Sequence, residues 1–193
     1  MTRTASAKPL ASPASVRSAS PGSRLRFAGP FTVSFVDDLH SSTRKLYAGG
    51  VVGAAVHAAS FMRERRIVLD AVLLKQPREL RRIVTHELFH FAWIRLGNPR
   101  RRQWQTLLAA EIKNRARGEL GWSAEWRKRE LAAIDLRLRN RRWRDYTCES
   151  FCDTAAWLFS GARPHPEATL SARQRARRVE WFVGIFQSTG VTI

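Results

Sequence analysis

The sequence predicts an α+β fold in which a small N-terminal β-sheet precedes a mainly helical domain. Phe31, Val33 and Phe35 alternate with polar residues, which is the pattern of a strand with one buried face. From Pro77 onward, apolar residues recur at helical spacing between capping residues and glycines. With 193 residues, the chain is long enough for one domain with a sizeable core.

Three strands are expected before the first helix. The first alternates buried and exposed positions, the second is rich in small residues, and the third is a short apolar run after the charged segment MRERR. They are predicted at residues 31–37, 51–61 and 67–70.

Capping residues and glycines define the predicted helices. Pro77 suits the first turn of a helix, and Gly97 is typical of a C-terminal stop. Ser123 is expected to cap the third helix, whereas Ser171 and Gln174 have the spacing of a capping box that begins the last one. The five helices are predicted at residues 77–96, 98–114, 123–140, 145–159 and 171–186.

The first 29 residues have a different composition from the rest. They are rich in Ala, Ser, Arg and Pro, and they contain no acidic residue. Such a segment cannot bury enough apolar surface to offset the entropy of ordering. We therefore predict a disordered basic tail at 1–29 and a single domain at 30–193. The tail has no apolar stretch of the kind found in secretory signals.

The net charge of +18, from 34 basic and 16 acidic residues, favours a negatively charged partner such as nucleic acid. The basic residues are nevertheless spread along the chain, and a charged outer helix face also explains segments such as RNRRWRD. Nucleic acid is kept as a candidate partner of this basic surface. No run of 18 apolar residues is present, so we expect no membrane span.

Cys148 and Cys152 are the only cysteines of the chain. Two cysteines one helical turn apart are poorly placed for a disulfide framework. A reducing compartment follows most simply, and a cytoplasmic location is therefore expected.

The segment THELFH suggests a metal site. On a helix, positions i and i+4 share a face, so His86 and His90 point the same way and can bind one ion. Glu87 lies beside that face, where it can take a proton from water activated by zinc. The helix becomes apolar nearly all round after Glu87, and buried polar groups need partners. The alternative is a pair of core histidines held by hydrogen bonds.

A second apolar helix offers the third ligand. Glu149 and Asp153, in CESFCD, are also four residues apart and share a face. Glu149 could bind the metal while Asp153 accepts a hydrogen bond from the far nitrogen of a histidine ligand. Alternatively, both acids pair with arginines such as Arg142. Asp145 is a less favoured third ligand.

HELFH followed by E-S-F-C-D resembles the gluzincin zinc metallopeptidases, and in part the ImmA/IrrE group of small bacterial gluzincins. The resemblance covers about residues 30–160. It implies His86, His90 and Glu149 as zinc ligands, Glu87 as general base, and Asp153 as the partner of the first histidine. It also implies a protein or peptide substrate, aligned by an edge strand that we place at residues 67–70.

A peptidase also needs a hydrogen-bond donor for the oxyanion that forms during hydrolysis. Tyr146 precedes Glu149 by three residues, and His165 follows the same helix, so both are candidates. His57 is expected to be structural, and nothing distinguishes His40.

Two rival interpretations remain open. His86, His90, Cys148 and Cys152 could form a closed His2Cys2 zinc site, which would be structural and would leave the acids without a role. The chain could also be a basic nucleic-acid-binding or regulatory protein whose zinc site is structural or inactive.

Overall fold

The computed structural model describes residues 25–26, 29–42, 45–49, 53–189 and 191–192. Most of the predicted basic tail at 1–29 lies outside the described residues. Within that range, Leu25–Arg26 forms a short strand that pairs in parallel with Val191–Thr192. The predicted tail therefore includes at least one segment with regular structure.

The described residues confirm the α+β class, with short strands followed by helices. The strands are β1 Leu25–Arg26, β2 Thr32–Val36, β3 Leu39–Ser42, β4 Lys45–Ala48, β5 Ala54–Ala55, β6 Ala58–Phe61, β7 Arg66–Asp70 and β8 Val191–Thr192. After a 3-10 helix at Ala71–Lys75, the helices are α1 Pro77–Arg95, α2 Asn98–Lys113, α3 Trp122–Arg129, α4 Ala133–Leu138, α5 Arg141–Phe159 and α6 Ala172–Thr189.

The principal sheet has the order β2-β7-β6. β2 runs parallel to β7, with Val33 opposite Ile67 and Phe35 opposite Leu69, so that one face presents apolar side chains to the core. β6 pairs with β7 in the antiparallel direction. The prediction that residues 67–70 form an edge strand was therefore wrong, because β7 is paired on both sides; β6 is the edge strand next to α1.

The predicted strand at 51–61 is divided between two sheets. β5 joins β3 in a small antiparallel sheet of order β4-β3-β5, whereas β6 belongs to the principal sheet. The two residues between β5 and β6 are hydrogen-bonded to both sheets. Val56 N–H donates to the Leu39 carbonyl of β3, and the His57 carbonyl accepts from the Asp70 N–H of β7. Residues 51–52 of the prediction lie outside the described part of the chain.

The predicted helix at 123–140 is two short helices, α3 and α4. The break lies at Ala132, whose backbone is extended, and α4 itself ends at Arg139, whose φ of +46° a continuous helix does not accommodate. Asn140 then caps α5 by accepting a hydrogen bond from Trp143 N–H at 3.3 Å. This cap was missed, and α5 consequently begins four residues before the predicted start at Asp145.

Other helix boundaries follow the sequence signals. α1 begins at Pro77 and is followed by Gly97 at φ +77°, and the Gln174 N–H donates to the Ser171 hydroxyl at 3.4 Å before α6. Among the described helices, none combines the length and the apolar character needed to cross a bilayer.

The core joins β7 to helices α1, α2, α5 and α6. Phe151 stacks on Phe182 at a centroid distance of 5.1 Å, and Phe89 stacks on Phe159 at 5.5 Å. Trp104 contacts Phe151 edge-on and donates its indole N–H to the Thr147 carbonyl. α1 and α5 thus meet over a rigid aromatic layer, and the faces that carry the candidate site residues are held against each other.

A buried ion cluster links α6 to α2 and to the segment before α3. Arg178 is fully buried and reaches Glu111 and Glu119, each at 2.6 Å. Lys128 approaches Glu119 at 3.2 Å, and the Tyr146 hydroxyl donates to it at 2.7 Å. Burial alone would raise the pKa of Glu119, but Arg178 and Lys128 outweigh it and lower the pKa to about 2.

Replacing Arg178 by Met should destabilise the fold by about 3–5 kcal/mol, because two buried carboxylates would lose their shared cation. Arg177→Met, at an exposed position of the same helix, should change stability by less than about 0.5 kcal/mol. Urea unfolding of both variants would measure the difference. Equal stabilities would show that the cluster does not stabilise the native state.

The lowered pKa of Glu119 also predicts an acid-sensitive stability. Its ordinary pKa of 4.5 applies to the unfolded chain and about 2 to the folded one, so its contribution is complete above pH 4.5 and disappears as the pH falls towards 2. Glu119→Gln should lack this part of the pH dependence, whereas the exposed Glu64→Gln should retain it. Unfolding free energies measured from pH 6 to pH 2.5 would test this, and parallel curves for wild type and Glu119→Gln would refute it.

Candidate metal centre

A cleft of about 770 Å³ lies between the edge strand β6 and helices α1, α3 and α5. His86, Glu87 and His90 enter it from α1, and Glu149 enters from α5. The structure therefore brings together the two motifs that the sequence separates by 58 residues.

His86 makes two contacts with α5 through its two ring nitrogens. Nδ1 lies 2.8 Å from Oδ1 of Asp153, so the ring donates the Nδ1 proton to that carboxylate. Nε2 lies 3.2 Å from Oε2 of Glu149. In the neutral ring, the contact with Asp153 keeps the proton on Nδ1 and leaves the lone pair on Nε2, which faces Glu149.

The same oxygen of Glu149 also faces the second histidine. Oε2 of Glu149 lies 3.9 Å from Nε2 of His90, whose ring is 4.9 Å from that of His86. The other oxygen, Oε1, forms an ion pair with the Arg127 guanidinium at 3.3 Å. Oε2 of Glu149 thus faces one ring nitrogen of each histidine, and Arg127 lies at the other oxygen of that carboxylate.

The acidic groups around the two histidines favour positive charge on the imidazole rings. Burial lowers the pKa of His86, but Asp153 and Glu149 outweigh it and raise the pKa well above its ordinary value. Burial likewise lowers the pKa of His90, yet Cys148 and Glu149 raise it to about 9. Burial raises the pKa of Glu149, whereas His90 and His86 lower it to about 2. Protons satisfy this demand in the protein alone, and a metal ion would satisfy it by replacing them.

Asp153 is held in place from the other side by α3. Its Oδ2 accepts from the Ala124 N–H at 2.8 Å, which places the carboxylate at the N-terminus of that helix. Gly121 precedes α3, and a Cβ there would lie within 2.7 Å of the Asp153 carboxylate. The absence of a side chain at Gly121 therefore leaves the space in which Asp153 reaches both His86 and Ala124.

Glu87 has a partner on the edge strand. Its Oε2 accepts a short hydrogen bond from the hydroxyl of Ser60 in β6, and its own side chain is buried at the cleft wall. Ser60 also approaches the Glu87 carbonyl at 3.3 Å. The carboxylate is thereby oriented while one oxygen remains for other contacts.

Sulfur atoms occupy the far side of His90. Its Nδ1 lies 3.5 Å from Sγ of Cys148 and 3.5 Å from Sγ of Cys152. The hydrogen bond from Cys152 lowers the pKa of Cys148 to about 6, whereas burial raises the pKa of Cys152 well above its ordinary value. His86, His90 and Cys152 form a buried group whose ligand atoms lie within 4.8 Å of one another and could hold a metal ion. The two histidines can therefore be combined with either oxygen or sulfur.

The structure does not bring the predicted oxyanion donors to the cleft. Tyr146 is buried in the core, where its hydroxyl donates to Glu119. His165 lies 3.2 Å from Glu79 and packs beside the first turn of α1. Asp145, the less favoured ligand, is exposed and pairs with Arg141. Helical spacing from Glu149 was a poor guide for Tyr146, because α5 is buried on several faces and Tyr146 lies on one that faces the core.

Several residues of the site had no recognisable signal in the sequence. Arg127 and Ser60 are ordinary polar residues in sequence, and only the packing of α3 and β6 against α1 and α5 brings them to Glu149 and Glu87. Gly121 resembles any loop glycine. His57, expected to be structural, is exposed and lines the cleft.

Comparison with protein-family models, with curated proteins and with solved structures gave no match. The interpretation of the site therefore depends on the geometry of this chain alone.

Gly121→Ala should weaken Zn²⁺ binding by about 10- to 100-fold, because a methyl group would displace the Asp153 carboxylate from His86. Gly184→Ala is a matched control, since a Cβ at that helical position meets no atom within 4 Å. Competition with a chromophoric chelator would measure both affinities. If Gly121→Ala binds Zn²⁺ as tightly as wild type, Asp153 does not position His86.

Proposed function

We propose that the chain is a zinc-dependent peptidase of the gluzincin type, with a zincin-like fold. The observation that carries the proposal is that Oε2 of Glu149 faces Nε2 of both His86 and His90 in a cleft that Glu87 also lines. Three protein ligands with a neighbouring glutamate are the usual composition of a hydrolytic zinc site.

His86 and Glu149 lie at about the separation that two ligands of one zinc ion would need. Two nitrogen or oxygen ligands about 2.0–2.1 Å from such an ion are about 3.3 Å apart. The separation of His86 Nε2 and Glu149 Oε2 is 3.2 Å, whereas that of His90 Nε2 and the same oxygen is 3.9 Å. His90 would have to move closer to Glu149 for the three residues to bind one ion. Two imidazoles and one carboxylate suit zinc better than magnesium or calcium, which prefer oxygen ligands.

The sulfur-containing alternative, with Cys152 in place of Glu149, is less compatible with hydrolysis. Glu149 and Glu87 would then have no role, although both line the cleft. In addition, the sulfurs face His90 through Nδ1, while its Nε2 faces Glu149. We therefore assign Glu149 as the third ligand.

The proposed reaction uses the buried acids in separate roles. A bound zinc ion would act as a Lewis acid and lower the pKa of water at the site. Glu87, oriented by Ser60, accepts the proton of the attacking water and passes it to the leaving amine. Asp153 keeps the proton of His86 on Nδ1, so that Nε2 remains a ligand.

β6 is suited to align an extended peptide. Among the described strands it pairs with β7 only, and its other edge borders the cleft through Ala58, Ala59 and Ser60. Unpaired backbone groups at a sheet edge can bind a substrate strand, which places a peptide bond beside Glu87. Two free cysteines are compatible with a reducing compartment such as the cytoplasm.

Purified protein should contain about one zinc per chain, lost in Glu149→Gln and retained in Cys148→Ser. Glu87→Gln should also retain zinc but lose hydrolysis of an unfolded protein substrate by about 100-fold or more, since the general base is removed. Glu64→Gln, at an exposed site, should be as active as wild type. Metal analysis and release of labelled peptides would provide the two measurements.

The comparison of wild type with Glu87→Gln can also contradict the proposal. If wild type and Glu87→Gln are equally inactive, the proposal fails. Nucleic-acid binding that weakens steeply with salt would then favour the second candidate, a basic binding protein. The observation behind that candidate is a group of exposed arginines around the junction of α4 and α5, namely Arg137, Arg139, Arg141, Arg142 and Arg144.

A further inference from the structure

The sulfur atoms behind His90 have no part in the proposed hydrolysis, yet their positions are specific. Cys148 and Cys152 lie one turn apart on α5, and both sulfurs are 3.5 Å from the same nitrogen, Nδ1 of His90. His86 differs, since its Nδ1 is bound to the Asp153 carboxylate. The two histidines therefore have chemically opposite surroundings: hard oxygen for His86 and soft sulfur for His90.

The distances from His90 Nδ1 to the two sulfurs fit a cation on the sulfur side. A nitrogen about 2.05 Å and a thiolate about 2.3 Å from a tetrahedral ion are about 3.5 Å apart, which is the separation found for both sulfurs. Cys152 is fully buried, whereas Cys148 is partly exposed and lines the cleft, which gives an ion a route of entry. Thiolates prefer soft ions, and each thiol would release its proton on binding.

We propose that Cys148, Cys152 and Nδ1 of His90 form a second cation site, which takes a thiophilic ion such as Cu⁺ or Cd²⁺. It is distinct from the site built on Nε2 of both histidines and Glu149, and it does not depend on peptidase activity. It also differs from a closed His2Cys2 site, because His86 remains bound to Asp153.

The two sites exclude each other through a single proton. A neutral imidazole has one N–H and one lone pair, so His90 can bind a metal through Nε2 or through Nδ1, but not through both. An ion held by the sulfurs moves the ring proton to Nε2 and removes that nitrogen from the other site. By linkage, each ion weakens the binding of the other by the same factor.

Cd²⁺ titration of the intact, metal-free chain tests the site. Wild type should develop the ultraviolet charge-transfer absorption of a cadmium–thiolate complex, saturating at about one ion per chain. Glu149→Gln should retain this absorption. Cys148→Ser should lose most of this absorption and bind Cd²⁺ at least about 10- to 100-fold more weakly. That is the cost of losing a residue that only supports a metal ligand, and here a ligand itself is lost. Cys152→Ala provides a second variant if Cys148→Ser fails to fold by circular dichroism.

The exclusion is tested with zinc-loaded protein. Cd²⁺ should release zinc from wild type at concentrations that leave Cys148→Ser loaded, and a chromophoric chelator would report the release. Thiolate absorption that is absent in wild type, or unchanged in both cysteine variants, would overturn the site. Absorption without zinc release would overturn the shared imidazole. If Cys148→Ser loses zinc while Glu149→Gln keeps it, zinc is bound by the sulfurs and not by Glu149. The ligand set of the proposed peptidase is then wrong, whereas the sulfur site stands.

Discussion

The carboxylate of Asp153 is the contact on which the geometry of the site depends. A buried carboxylate needs a partner for each oxygen, because an unpaired buried charge is costly. Here one oxygen accepts from Nδ1 of His86 and the other from Ala124 N–H, so a single side chain of α5 joins α1 to the N-terminus of α3. The orientation of the first histidine is therefore a property of three helices. It is set by tertiary packing and not by the HELFH segment alone.

The position of α3 depends in turn on the buried ion cluster. Glu119, two residues before Gly121, is held by Arg178 of α6 through its side chain and by Thr169 and Leu170 through its carbonyl. Loss of one partner from such a cluster leaves a buried charge unpaired, so the paired charges hold the segments that carry them in fixed positions. The cluster fixes the segment whose glycine leaves space for Asp153. The fully buried Arg178 is thus linked by a series of contacts to the candidate metal ligands.

The parts of the site that the sequence predicted are those that depend only on the spacing of residues along one helix. Two residues four apart on a helix share a face whatever the rest of the fold does, and so the pairs His86–His90 and Glu149–Asp153 could be identified before the structure. The strand order, the division of 123–140 into two helices and the hydrogen bond from Ser60 to Glu87 could not. They depend on the extended backbone at Ala132 and on contacts between segments far apart in sequence, for which no local pattern exists.

The unequal surroundings of the two histidines decide how the site handles protons and metals. Asp153 holds a proton on Nδ1 of His86 and thereby keeps Nε2 available as a ligand. A sulfur partner holds such a proton less firmly than a carboxylate, since a thiol is a weak acceptor. His90 is therefore the more adaptable of the two candidate ligands. Its greater distance from Glu149, 3.9 Å against 3.2 Å for His86, also indicates that it is held less tightly. A change in the charge of the cysteines acts most directly on His90, whose Nδ1 lies 3.5 Å from both sulfurs, and it also reaches Glu149 through the electrostatic coupling of that carboxylate to both thiols.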